Sequence, residues 1–181
     1  MSNKNKITIQ HGALVCDESK LRGEITIGAN SIIHPSAVIY AESGPIIIGD
    51  HCIIEEKAKI IHRVPFDRAD KTTTPALIIG SNNVFEVDCT VEACQIGDNN
   101  VFEPKCFVGS KVTISDGCVI GAGCSVTEEE IIPKNTVIYG GNHMRREAFD
   151  KPAVQHGQME TLKKVLPGYH RLKKPTEPPP Q

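Results

Sequence analysis

The sequence predicts an all-β chain: a single-stranded parallel β-helix of about seven coils, followed by a C-terminal α-helix. Three observations predict it. A large apolar residue returns every six positions, the slot four residues after it is small, and the beat stops at Ile138, beyond which apolar spacing becomes helical. A period of six fits neither the helix nor the simple strand, and an internal repeat of that length marks a solenoid.

The beat begins at Ile9, Val15, Leu21, Ile27, Ile33 and Ile39, and returns at Ile48, Ile54 and Ile60. It resumes at Ile79, Phe85 and Val91, then runs unbroken through Ile96, Phe102, Val108, Ile114, Ile120, Val126, Ile132 and Ile138. Three hexads make one triangular coil, and with coils about 4.8 Å apart the prism over residues 7–141 is roughly 30 Å long. Residues 1–6 precede it as a polar N-terminal tail. Four positions after the aliphatic residue stand Ala13, Ser19, Ser31, Ala37, Cys52, Ala58, Cys89, Cys106, Cys118, Cys124 and Thr136. Residues two apart in a strand share a face, so this slot also points inward. Most of the 7 cysteines are thereby explained as small buried hydrophobes in a reducing compartment. No C-x-x-C occurs to suggest a zinc ribbon.

The beat slips three times. Three residues are inserted around Glu42-Ser43-Gly44-Pro45, and the step from Val91 to Ile96 is one short. Between Ile60 and Ile79, a charged segment at about 61–77 carries Arg63, Asp67, Arg68, Asp70 and Lys71 and is expected to leave one corner as a loop. Residues 142–172 are expected to form a helical appendage. Met144 to Phe149 is read as a turn or two of helix before Pro152. A second helix from about His156 to Leu166 carries Met159, Leu162, Val165 and Leu166 as contacts and stops at Pro167-Gly168. Residues 173–181 are read as a disordered Pro-rich tail.

The residue before each inward aliphatic points outward, and these residues sort into three columns. One column is Thr8, Thr26, Ile47, Ile78, Gln95, Thr113 and Ile131; another is Lys20, Val38, Lys59, Thr90, Phe107 and Ser125. The third is aliphatic throughout: Leu14, Ile32, Ile53, Val84, Val101, Val119 and Val137. An exposed strip of that length would be a liability, so the C-terminal helix, another subunit or both are expected to cover it.

The composition narrows function. A net charge of -2, from 20 basic and 22 acidic residues, leaves no basic footprint for nucleic acid. No apolar run approaches the roughly 20 residues of a membrane span. Met1 to Lys6 lacks the apolar stretch of a signal peptide, so a cytoplasmic chain without direct membrane insertion is expected.

Two enzyme classes use such prisms, and each needs particular residues. Glu42 to Asp50, with Ile54-Glu55-Glu56, resembles a stretch of γ-class carbonic anhydrases. That family's preceding arginine and aspartate fall on Ile39 and Ala41, and its Gln-Asp pair on Glu55-Glu56. Its three zinc-binding histidines fall on Ile61, Val87 and Glu92; His62 is one residue out, which turns it to the opposite face. Without three imidazoles, an open zinc site that acidifies water is not expected, and neither is any other metal or cofactor. Ile33-His34-Pro35-Ser36-Ala37 resembles the hexapeptide acyltransferases, which need a positioned histidine base. His34 and His51 sit at corner-like positions with no carboxylate orienter beside them in sequence. No catalytic residue is therefore assigned.

More specific stretches are Asn82 to Val87, Ile96 to Val101, Pro133 to Gly140, Arg145-Arg146, and the tail Leu166-Pro-Gly-Tyr-His-Arg-Leu-Lys-Lys174. With Gly44-Pro45 and Ile54-Glu55-Glu56 they resemble the dynactin subunit 6 family, over about Ile7 to Lys174. The resemblance implies a left-handed β-helix in a non-enzymatic subunit of the dynactin pointed-end complex. It also implies pairing with dynactin subunit 5, contact with actin-related protein 11 and the p62 subunit, and service to dynein and its cargo adaptors on microtubules.

Overall fold

The computed structural model describes residues 5–64, 75–150, 152 and 155–176. The hexads wind into a three-faced parallel solenoid. Face one stacks Lys6–Ile9, Glu24–Ile27, Ile46–Ile48, Leu77–Ile79, Gln95–Ile96, Val112–Ile114 and Glu130–Ile132. Face two stacks Leu14–Val15, Ile32–Ile33, Ile53–Ile54, Val84–Phe85, Val101–Phe102, Val119–Ile120 and Thr136–Tyr139. Face three stacks Lys20–Arg22, Val38–Ala41, Lys59–His62, Thr90–Val91, Phe107–Val108 and Ser125–Val126. Register follows the hexads: Leu14 pairs with Ile32, Ile32 with Ile53, Ile53 with Val84, and so on to Val119 with Val137.

Every beat residue except the half-buried Leu21 is buried. Phe85 and Phe102 stack in the middle of the prism, with ring centroids 4.6 Å apart and planes 9° from parallel. All five cysteines of the small slot are buried there. Two members of that slot were missed in the sequence, Asn83 and Asn100, which are 0% and 1% exposed. Asn83 donates to the carbonyls of Gly80 and Gly97, its Oδ1 accepts from Asn100 N, and Asn100 Oδ1 accepts from Cys118 N at 2.7 Å. Ser31 Oγ continues the ladder by accepting from Cys52 N. These polar side chains replace corner backbone partners, although Asn100 Nδ2 has no partner among the described residues.

The corners turn through left-handed residues three positions after the beat: Gly12, Asn30, Ser36, His51, Lys57, Asn82, Asp88, Asn99, Lys105, Gly117, Gly123 and Asn135. Asn, Asp and Gly reach that conformation at least cost, which accounts for much of the corner composition. At Gly12 a Cβ would also stand 2.5 Å from Asn30 Oδ1, so a larger residue there would have to push that side chain aside.

The segment read as a loop at 61–77 is shorter at both ends: Ile61 and His62 finish one strand and Leu77 starts another. Its base is clamped by Arg63 with Glu42 at 2.8 Å, by Val64 N donating to Ser43 Oγ, and by the His62 ring, 2.8 Å from the Pro75 carbonyl. Asp67, Arg68, Asp70 and Lys71 lie outside the described residues. At the N-terminus, Lys6 belongs to the first strand, and Asn5 Oδ1 accepts from Gly23 N.

The appendage departs from the sequence reading in three ways. Met144–Glu147 is a strand, not a helix, running antiparallel to Thr136–Tyr139 across a turn with positive φ at Gly140 and His143. Six residues are too few to sustain an isolated helix, whereas the free edge of the last coil supplies partners at once. The helix spans His156–Tyr169 and passes through Pro167. In the final turn the missing N–H forfeits a single bond, and His170 N closes the helix on the Leu166 carbonyl. Lys173 to Thr176, read as part of a disordered tail, are pinned to the first coil; residues 177–181 lie outside the described residues. Lys173 N donates to Val15 O, and Thr176 N to Ile9 O.

Candidate docking surface

The positions that would carry catalysis are not assembled as such. Ile61 and Glu92 stand beside each other on face three, as the pairing of Ile60 with Val91 requires, and Val87 is 42% exposed at a corner. His62 points inward with Ile60, on the side opposite Ile61, and serves the loop base. Among the described residues, no three His, Cys, Asp or Glu side chains converge as a metal ligand set. Among the described residues His34 Nε2 has no hydrogen-bond partner, and burial holds its imidazole below the ordinary pKa, hence neutral near pH 7. Glu55 and Glu56 act on it through their charge, but no carboxylate among the described residues hydrogen-bonds its ring as an orienting partner would.

The aliphatic column of face two behaves differently along its length. Ile32 and Ile53 are fully buried and Val84 is 5% exposed, because Met159 and Leu166 of the helix pack on them with Leu162 beside. Leu14 and Val101 join this cluster as half-buried members. Val165, expected on the same helix face, is 45% exposed. At about 100° per residue it lies some 120° around the helix from Met159, while Leu162 and Leu166 return to within about 60°.

Polar contacts fix the helix in register. Gln158 reaches Glu55, Lys163 reaches Asn30 at 2.7 Å, and His170 meets Glu18 at 3.0 Å. The chain beyond the helix becomes a strap over the first coil. Cys16 bridges Leu172, Asp17 N donates to Arg171 O, Lys173 Nζ pairs with Asp17, and Ile9 N donates to Thr176 Oγ1.

Val119 and Val137 lie beyond the helix. They floor a cavity of about 380 Å³ whose walls include Arg146, Phe149, Pro152 and Glu103. Phe149 is 93% exposed, and the Arg146 guanidinium sits 5.8 Å from its ring centre. Nearby, Ile131, Tyr139 and Met144 are also exposed. Face one exposes a second, flatter pair, Ile47 and Ile78, in register on adjacent coils. The hexad pattern reveals the face-two column, but not where the helix stops along it.

Comparison with known proteins places this geometry. The family model described as "Dynactin subunit 5" matches residues 1–161. A protein named "Dynactin subunit 6" from Xenopus tropicalis is 49% identical over 181 residues, covering 97% of this chain and 90% of that one. A namesake from Danio rerio is 46% identical, covering 96% and 90%. Among solved structures, a hexapeptide transferase family protein from Anaplasma phagocytophilum superposes with a TM-score of 0.71 at 17% identity, covering 90% of this chain and 92% of that one. At that identity the likeness concerns the fold alone.

Proposed function

The chain belongs to the dynactin subunit 5 and 6 family, and from that premise we propose that it is a non-enzymatic scaffold subunit of the dynactin pointed-end complex. In this reading it pairs with dynactin subunit 5, meets actin-related protein 11 and the p62 subunit, and supports dynein-driven cargo transport in the cytoplasm. One observation carries the proposal: relatives named Dynactin subunit 6 span nearly the whole chain, including the tail that straps the first coil. The surroundings support it. The positions matching zinc-binding histidines hold Ile61, Val87 and Glu92, and the apolar surface is arranged for packing against protein. No helix among the described residues is long and apolar enough to cross a membrane.

The test is the native mass of the purified chain with and without dynactin subunit 5. The reading expects a 1:1 heterodimer free of zinc. A homotrimer with stoichiometric zinc and bicarbonate dehydration activity would return the chain to the enzymes.

A further inference from the structure

The helix is too short for its seat. Fourteen residues rise about 21 Å, whereas seven coils at about 4.8 Å spacing span roughly 29 Å. Five coils, Leu14 to Val101, fall beneath the helix and its strap, and Val119 and Val137 extend the same column by two more. The remainder is floored by β-branched aliphatics identical in kind to those already buried under Met159 and Leu166.

Its rim is acidic. Glu86 and Glu103 occupy successive corners beside the column, and Asp150 lines the cavity with Glu103. Among the described residues none of these three carboxylates has a basic partner; Glu103 accepts only from Ala122 N. Burial raises the Glu86 carboxyl, and the charges of Glu55 and Glu103 add to the shift. Arg146 lines the same cavity, with its guanidinium held over the rings of Tyr139 and Phe149 and its Nη1 donating to the Glu147 carbonyl. A cation arriving here would relieve like-charge crowding on a half-buried wall, which is where an added ion pair gains most.

We propose that the Val119–Val137 end of face two is a docking pocket for a partner subunit, which inserts one apolar side chain of leucine or phenylalanine size against the two valines and sets an adjacent lysine or arginine against Glu86, Glu103 and Asp150. The cavity has room for such an anchor, and exposed Phe149 supplies a wall that it would cover. Strand addition is disfavoured at this end of the prism. Met144–Glu147 closes the edge of face two, Pro133 stands in the register position of Ser115 on face one, and Glu128, Glu129 and Glu130 follow the last strand of face three. Docking by side chains is what remains.

This surface rests on the scaffold reading above, and one experiment separates the two. The full chain is titrated with purified dynactin subunit 5, actin-related protein 11 and p62, each alone. Three variants are compared: Val119→Glu with Val137→Glu; Glu86→Gln with Glu103→Gln and Asp150→Asn; and, as a control, Ile47→Glu with Ile78→Glu. The valine variant is expected to weaken one partner at least tenfold. The neutralised rim, a surface change that leaves the core intact, should weaken the same partner several-fold and flatten its salt dependence. The control should bind that partner within twofold of wild type. If wild type binds a partner and the first two variants bind equally well, the pocket is overturned while the scaffold reading stands. A loss with the valines but not with the rim overturns the cation. Wild type binding none of the three removes the scaffold reading and the pocket with it. Benzophenone placed at Phe149 that cross-links only within this chain in the assembled complex also contradicts the pocket.

Discussion

The two ends of the prism are closed by different means. The first coil is closed on faces one and two by residues more than 150 positions later: Leu172 pairs with Cys16, Lys173 bonds Val15, and Thr176 bonds Ile9. Among the described residues, the last coil is closed only on face two, by a hairpin strand whose four residues are all exposed, as are Phe149, Tyr139 and Ile131. Edge protection therefore does not require apolar burial. The first end is finished as a monomer would be finished, and the last end retains unburied apolar surface, which a free solenoid end ordinarily avoids.

The largest expected contrast is energetic. Leu166→Ala should cost about 2–4 kcal/mol in urea unfolding, because it opens a cavity over Ile32 and Ile53. Phe149→Ala should stay within about 0.5 kcal/mol, and equal losses at the two sites would erase the distinction. A second contrast is chemical. Cys94 is the one exposed thiol among the seven. Shortening the chain after Tyr169 should make Cys16 react with a thiol reagent while Cys124, near the last coil, stays protected. Labelling of both would mean that the strap holds the whole prism. Thr176→Val, which removes the hydroxyl bonded to Ile9 N, should cost about 1 kcal/mol and speed exchange of that amide.

The smallest effect is acid dependence. His170 bonded to Glu18, and Arg145 bonded to Glu130, hold both carboxyls below their usual range. The folded state thus favours the ionised form, so each contribution is present above the ordinary carboxylate pKa and is lost as pH falls through the lowered folded value. Glu130→Gln should lower stability at pH 7 by about 0.5 kcal/mol after solvent screening and flatten the acid limb. A steeper acid limb in that variant would show the ion pair to be incidental.

The repeat was legible because inward positions of a solenoid are strict. Coil number, register and the buried cysteines all follow from counting by six. What the counting could not supply is long-range or cooperative. Asn83 and Asn100 look like loop residues until the neighbouring coils present carbonyls and amides to them. Met144–Glu147 has no strand pattern of its own and pairs because an edge is available. Lys173 to Thr176 resembles a polar tail, and its order comes from backbone bonds to residues more than 150 positions earlier. Val165 looks like a contact by spacing, but three of the four apolar helix positions share a stripe and it does not. In the candidate surface the aliphatic column is visible as a whole, but its division at Val101 depends on where the helix lands along it: Gln158 stands by Glu55 and His170 by Glu18, so the N-terminal end of the helix is the one toward Val101.

Amide hydrogen exchange, on the chain alone and assembled with whichever partner binds it, tests most directly the division of this prism into a self-sealed end and an open one. The first-coil amides of Leu14, Cys16 and Asp17 should be protected in the free chain and unchanged on assembly, while protection rises across residues 119–120, 136–139 and 144–150. Protection gained at the first coil or at Ile47 and Ile78, with none at the last coil, would contradict it.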